Sequence, residues 1–401
     1  MTAARAILTM PLALLLAACG SPARPAGAPV TPAASVSAAA TAAPAAAPVV
    51  ATPAPTAVPA PPPLIVLAEA AGQQTRVTLV DVSGHPVATA IAPVSQAWLV
   101  EAGPGGAYWV AGGRLHRLGA GGGVADLGAV PPNDGGGFSV SPSGDAIVFH
   151  TSAPVGTGQT LDNRLYVAQG GTARLLASRI ADGTRPALPD ALQLWQYRTL
   201  SWTDQGVLIA REPQGGCGCG PFGMESVDWH TALVDPATGS TTPVNDSETC
   251  PLSGTGPGGL AACFHTVQHG ESMTADQLRI LHSGAVTARF DLSGANVGGA
   301  AVFSPDGSRI AYATVPQGAD CASWQGQTTM RVLDIADGAA RALPTAGLQP
   351  LAWLRDGRIV AVQSAGRAGT TRVVLVDPGS GAVTPIHSST AQPVVRMAAA
   401  A

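Results

Sequence analysis

The stretch AVFSPDGSRIAYAT, Ala301–Thr314, sets two short apolar runs around the tetrapeptide Ser304-Pro305-Asp306-Gly307. Proline at the second position of a turn fixes φ at about −65°, and an Asp/Gly pair completes the reversal, so the four residues read as a turn between two strands. A serine beside an aspartate also invites a catalytic reading, and the other copies of the plan decide between the two. FSVSPSGDAIVFHT starts at Phe138, LSWTDQGVLIAR at Leu200 and LAWLRDGRIVAVQ at Leu351. Their turns read Ser-Pro-Ser-Gly, Thr-Asp-Gln-Gly and Leu-Arg-Asp-Gly. A turn survives that variation, whereas a catalytic pair does not.

A second half-unit follows each copy: LYVAQGGTARLLA, TALVDPATGSTTPV, MRVLDIADGAARALP and VVLVDPGSGAVTPI. In each, a strand ending in Asp or another polar residue meets a glycine turn and returns. Two such hairpins make a four-stranded sheet of about 45 to 50 residues, the size of one propeller blade. The turn glycines Gly144, Gly206, Gly307 and Gly357 keep that spacing, with the long middle gap holding two units. No long stretch has helical periodicity with caps, so the expected class is all-β.

These residues resemble the WD-like repeats of TolB-type periplasmic β-propellers, whose unit runs strand, Ser-Pro-Asp-Gly, strand, then a strand ending in Asp. The resemblance covers Phe138 to His387 well and Leu64 to Pro131 loosely. It implies a propeller of four-stranded blades, seven with units at 64–93, 96–130, 137–180, 198–245, 261–293, 300–343 and 350–388, or six if the weak second and fifth units fail. The first unit shows three strands, so Gln392–Ala398 is expected to add its inner strand and close the ring by pairing the chain ends.

The chain opens with Arg5, the apolar run AILTMPLALLLAA and then Cys19, a signal-like segment too short to span a bilayer in the mature protein. Leu16-Ala17-Ala18-Cys19 resembles the bacterial lipobox, which implies cleavage after residue 18 and lipid on Cys19. Residues 19–63 are dominated by Ala and Pro, with Arg24 as the single charge, and read as an extended tether. The propeller is expected over 64–401. With net charge −4, 11% charged residues and no lysine, nothing suggests nucleic-acid binding. The expected place is the cell envelope, outside the cytoplasm, on the outer membrane or the outer face of the plasma membrane.

The remaining cysteines are Cys217, Cys219, Cys250, Cys263 and Cys321. On the repeat, Cys217 and Cys219 fall between the second and third strands of the fourth unit, Cys321 in the equivalent loop of the sixth, and Cys250 between the fourth and fifth. Cys263 is expected to start the next inner strand. All belong to one face of a propeller, beside the insertions 211–230, 246–260 and 315–328. Disulfides suit an exported chain, and a Cys250–Cys263 bridge or one from Cys217 or Cys219 to Cys250, Cys263 or Cys321 is open to the sequence. The spacing with His265 and His269 matches no common zinc pattern, so no metal and no other cofactor is expected. Phe222, Met224, Trp229, His230 and Trp324 lie in or beside the insertions and form either a binding surface or the loops' own small core.

No Gly-x-Ser-x-Gly occurs in the chain, and convergent acids or bases are not evident. The sequence reading is therefore a lipid-anchored, non-catalytic binding or scaffolding module that holds a protein or envelope polymer on its insertion-bearing face. The alternative is an enzyme using the central funnel, a lyase or glycan hydrolase, with His265 and His269 as scattered candidates.

Overall fold

The computed structural model describes residues 63–130, 137–156, 160–182, 195–213, 222, 229–245, 250–269, 272–319, 323–365, 370–389 and 393–398. The first sheet contains β1 (Leu64–Ala71), β2 (Gln74–Val80) and β3 (Pro86–Ala92). The second is built from β4 (Glu101–Gly103), β5 (Gly106–Ala111), β6 (Arg114–Gly119) and β7 (Val124–Ala129). The third holds β8 (Phe138–Val140), β9 (Ala146–Val155), β10 (Thr160–Gln169) and β11 (Thr172–Asp182), and the fourth β12 (Trp195–Thr203), β13 (Gly206–Pro213), β14 (Trp229–Val234) and β15 (Thr241–Asn245). A fifth sheet runs through β16 (Leu252–Thr255), β17 (Leu260–His269), β18 (Ser272–His282), β19 (Ala285–Phe303), β20 (Arg309–Pro316), β21 (Thr329–Asp334) and β22 (Ala340–Ala346). The sixth consists of β23 (Leu348–Trp353), β24 (Ile359–Ser364), β25 (Thr371–Val376) and β26 (Val383–Ser389), followed by β27 (Val394–Ala398).

Every pairing among these strands is antiparallel, and β27 joins the first sheet beside β1, with Ile65 opposite Met397 and Leu67 opposite Val395. β27 therefore supplies the fourth strand that the three-strand first unit lacked. The expected count of seven or six separate blades is corrected: there are five four-stranded sheets and one of seven strands. The cause is β19. Its first part pairs with β18 and its last part with β20, so two successive units run together through one strand, with the register against β18 shifting between Asp291 and Asn296.

Strand character follows position in the sheet. Ala146–Phe149 of β9 and Val373–Val376 of β25 are buried on both faces, because a neighbouring sheet covers each side, and they read as short unbroken apolar runs. The outermost β7 and β26 hold no fully buried residue, only half-buried and exposed ones. Core clusters join successive sheets: Leu79 and Val66 with Trp109 and Leu118, Tyr108 and Leu115 with Phe138 and Phe149, Val148 and Leu165 with Tyr197 and Ile209, and Leu67 and Val80 with Val360 and Leu375. Each buried aliphatic side chain of this kind contributes about 1.5–3 kcal/mol.

The repeated turn is built as its sequence implies. Gly307 N–H donates to Ser304 O at 2.8 Å with φ 73°, a conformation that favours glycine. The buried Ser304 Oγ accepts from Arg309 N–H at 2.9 Å and donates to Asp306 at 2.6 Å, and Asp306 also accepts from Ser308 N–H at 3.1 Å and Ser308 Oγ at 2.9 Å. Asp81, Asp235 and Asp377, each just past a strand in the third place of its sheet, and Asp334, the last residue of β21, cap their own turns by accepting backbone N–H groups. Antiparallel order puts both sets of hairpins on one face. The links from second to third strands, and from one unit to the next, emerge on the other.

Candidate functional site

The insertion-bearing face carries the residues singled out in the sequence. Cys250 and Cys263 form a disulfide, with Cα atoms 5.3 Å apart and both residues buried. Cys263 is not on an inner strand as expected: β16 occupies that place and Cys263 lies on β17, opposite Leu252. Cys19, Cys217, Cys219, Cys321 and Met224 lie outside the described residues. Phe222 and Trp324 meet edge to face at 5.0 Å, and Trp324 is 9% exposed in a small cluster with Val297 and Val315. A Cβ at Gly299 would meet the Phe222 side chain at 2.3 Å, so the missing side chain lets the ring lie on the backbone of β19. Trp229 opens β14 opposite Arg211, and His230 follows at φ 49° where the register shifts. The rings of Phe222 and Trp324 thus pack against each other across two insertions, Trp324 buried and Phe222 partly so.

Beneath these loops the first strands of the sheets converge. β4 touches β27 and β8, and β8 touches β12, so side chains on these edge strands gather around a common centre. Glu101, the first residue of β4, meets Arg396 of β27 at 3.0 Å. Arg396 also donates through Nε to Val100 O at 2.9 Å and through Nη2 to Trp98 O at 3.2 Å, bolting the C-terminal strand to the segment that carries Glu101. Arg198 of β12 acts on the same carboxyl through its charge. The Glu101 side chain keeps about 20% exposure, yet protein surrounds it closely enough that burial pushes its pKa to about 7, against the opposing pull of Arg396 and then Arg198. Among the described carboxyls with a resolved shift, Glu101 alone is raised; Asp81, Asp126, Asp145, Asp235, Asp306, Asp356 and Asp377 are all lowered.

A second polar pair lies on β17 and β18. His265 Nδ1 is 2.6 Å from Asp276 Oδ1, at a register shift that leaves Asp276 as the extra residue. His269 ends β17. Among the described residues no group of three or more His, Cys, Asp or Glu side chains is placed to hold a metal ion.

Sequence reasoning missed Glu101, Arg396 and Arg198. The signal that points to them is the pairing of β27 with β1, which brings Arg396 to the centre beside the start of the second sheet, and the presence of charges on innermost strands of a chain that is only 11% charged.

No protein-family model matches the chain, and no curated protein matches it by sequence. Solved structures do. A putative 6-phosphogluconolactonase from Bacteroides fragilis has TM-score 0.50 and 13% identity over 84% of this chain and 98% of that one. The periplasmic gluconolactonase of Pseudomonas aeruginosa has TM-score 0.48 and 14% identity, covering 84% and 99%. TolB from Acinetobacter baumannii has TM-score 0.39 and 13% identity, covering 84% and 83%. Of a prolyl endopeptidase, this chain spans 44% of the length. At 13% identity the likeness to the first of these shows the fold alone, and the four-stranded antiparallel sheets are those of a β-propeller. The expectation that it is not an enzyme is overturned: the fold is shared with a structure named as a putative lactonase, so architecture gives no ground for excluding catalysis.

Proposed function

We propose that the centre beneath the insertions is a ligand site that performs proton transfer on a small hydroxylated acid or its lactone, with Glu101 as the acid–base group. The observation that carries this reading is the Glu101 carboxyl, held at about 7 between two arginines on converging strands. A group with that pKa is available in both protonation states at neutral pH, where acid–base catalysis contributes about 10²- to 10⁴-fold. In lactone opening, Glu101 takes a proton from water as its oxygen bonds to the carbonyl carbon. The ring C–O bond then breaks, and Glu101 returns the proton to the departing alkoxide. The positive field of Arg198 favours the oxyanion formed between these steps. The name of the Bacteroides fragilis neighbour suggests the substrate class. Proton release by the full chain on a panel of aldonolactones tests the reading. Turnover with an inflection near pH 7, lost in Glu101→Gln, supports it; no turnover, or equal turnover by the variant, refutes it.

We further propose that the fifth sheet represents two propeller units sharing β19, giving seven around the centre. Residues 1–18 act as a lipoprotein signal, Cys19 carries the lipid and 19–63 tether the propeller at the cell envelope, where its insertion face meets a protein or envelope polymer. The buried Cys250–Cys263 disulfide suits an exported chain. Cys19→Ala is expected to move the protein from the membrane to the soluble fraction; persistence in the membrane would refute the anchor.

A further inference from the structure

On the turn face, two seams between sheets are built alike, one between the third and fourth sheets and one between the fifth and sixth. In each, an arginine on the outermost strand of the leading sheet donates to the proline carbonyl of the next sheet's Asp-Pro turn: Arg174 to Pro236 O, and Arg341 to Pro378 O. The two arginines hold the same place in the ladder, Arg174 opposite Val167 and Arg341 opposite Val332. In each seam a tryptophan on the next innermost strand, Trp202 or Trp353, packs back on the core of the leading sheet. What covers the tryptophan differs. Arg309, which opens β20, lays its guanidinium 4.9 Å from the centre of the Trp353 ring. Its counterpart, which opens β9, is Ala146. The turns fix that equivalence, because Arg309 N–H donates to Ser304 Oγ at 2.9 Å and Ala146 N–H donates to Ser141 Oγ at 3.0 Å. Where the arginine is missing lies an open cavity of ≈ 510 Å³, with Ala146, Val167, Trp202, Asp145, Gln169 and Arg174 in its lining. That is ligand-sized, within the range of about 300–1,000 Å³.

Strand register puts the lining side chains of the third sheet on one face. Ala146 pairs with Gln169, and Val167, two residues before Gln169, pairs with Arg174. The alternation of a strand therefore turns all four toward the fourth sheet and Trp202. Asp145 stands at the edge of the cavity with its carboxylate already held: Oδ2 accepts from Gln169 Nε2 at 2.7 Å, and Oδ1 from Ser143 Oγ at 2.5 Å and Ser141 Oγ at 3.2 Å. These bonds, the one from Ser143 foremost, pull its pKa below the ordinary carboxylate value, so it is an anion at neutral pH. A carboxylate has about four acceptor positions, and the three donors leave room for another. Arg174 does not keep a second cation out. In the other seam Arg341 makes the same bond to a proline carbonyl while Arg309 lies on Trp353.

We propose that this cavity is a binding site for a guanidinium group, which lies on Trp202 beside Asp145 in the place that Arg309 fills in the other seam. The aromatic face attracts the cation, and the carboxylate takes a charge-assisted hydrogen bond from its N–H groups. The aliphatic stem of the ligand lies along Val167 and Ala146. A neutral urea of the same shape gains neither attraction. The guanidinium belongs either to a free small molecule or to an arginine side chain of a peptide, and the two share this chemistry. The cavity is on the opposite face from the centre that holds Glu101 and shares no residue with it, so this inference stands apart from the acid–base reading.

The test is calorimetric titration of the full chain with butylguanidinium, with its neutral isostere butylurea and with a blocked Gly-Arg-Gly peptide, at two salt concentrations. The expected result is that a guanidinium probe binds at least about tenfold tighter than butylurea and loses part of that advantage at high salt. Ala146→Arg, which restores the cover seen on Trp353, should abolish the advantage. Asp145→Ser should reduce it, Trp202→Leu should reduce it further than Trp202→Phe, and Glu101→Gln should leave it unchanged. Binding of butylguanidinium as tight as that of the peptide assigns the cation to a small molecule, and binding of the peptide alone assigns it to a partner's arginine. Asp145→Ser lies in an exposed turn and keeps the test decisive if Ala146→Arg does not fold. No binding by either guanidinium probe, equal affinity for butylurea, or an advantage that survives intact in folded Asp145→Ser and Trp202→Leu overturns the proposal.

Discussion

Asp306 on the turn face and Glu101 beneath the insertion face are the same functional group in opposite circumstances. Asp306 is exposed and accepts from the Ser304 hydroxyl, the Ser308 N–H and the Ser308 hydroxyl, with the Ser304 bond foremost in pulling its pKa down to about 2. Glu101 has an arginine at 3.0 Å and still rises to about 7, because the converging strands take more water from it than Arg396 and Arg198 restore. The repeated motif marks the first and nothing local marks the second. A carboxylate saturated with donors is committed to holding its turn; one that is short of solvation keeps its proton within reach of neutral pH and is free to exchange it.

The largest expected effect comes from removing each carboxylate in turn and reading activity. Glu101→Gln should lower lactone turnover by about 10²- to 10⁴-fold, and Asp306→Asn should leave it unchanged. Equal losses would erase the distinction. Arg396→Gln sharpens it: loss of a cation that pulls the Glu101 pKa down should move the inflection of the pH–rate profile upward, and an unmoved inflection would mean that the profile reports another group. Next in size is Ser304→Ala. The substitution removes a buried hydroxyl, stripping Arg309 N–H of its acceptor and Asp306 of a donor, and should cost about 1–3 kcal/mol in urea unfolding while turnover is retained.

Much of the fold was legible because it is written in repeats. Gly144, Gly206, Gly307 and Gly357 all sit at positive φ in the hairpins that follow innermost strands, and the Asp-Pro starts at Asp235 and Asp377 cap turns as their residue types require. The C-terminal strand was legible from a deficit, since a three-stranded first unit leaves an edge that β27 covers. The blade count was not. Ala285–Phe303 continues as one strand across two units, and continuity of a strand is a tertiary fact that no turn residue announces. β16 was missed for a related reason, as Leu252–Thr255 contains a glycine and two hydroxyl residues and lacks strand character by composition. The site was the least legible part. Glu101, Arg198 and Arg396 are separated by some 300 residues at the extreme, and each is unremarkable locally; only convergence of the innermost strands makes them neighbours. The cysteine spacing did point to the insertion face, and the Cys250–Cys263 bridge was among the pairings it allowed.

The smallest effects are the pH dependences of stability, and the two carboxylates should differ in sign. Because the folded pKa of Glu101 lies above its ordinary value of 4.5, its contribution is fully present below pH 4.5 and is lost as pH rises through about 7, where the unfolded chain ionises more readily than the folded one. Asp306 lies below its ordinary value of 3.8, so its contribution is present above that pH and is lost as pH falls towards 2. Other groups titrate over both windows, so the informative quantity is the difference between each variant and the parent. Urea midpoints measured from pH 2.5 to 8 should show that Glu101→Gln flattens the decline between pH 4.5 and 7 alone, and that Asp306→Asn flattens the acid limb alone. A Glu101→Gln protein that declines as steeply as its parent across the upper window would show that water, rather than protein, surrounds this carboxyl, and the argument for proton transfer at the centre would lose its physical basis.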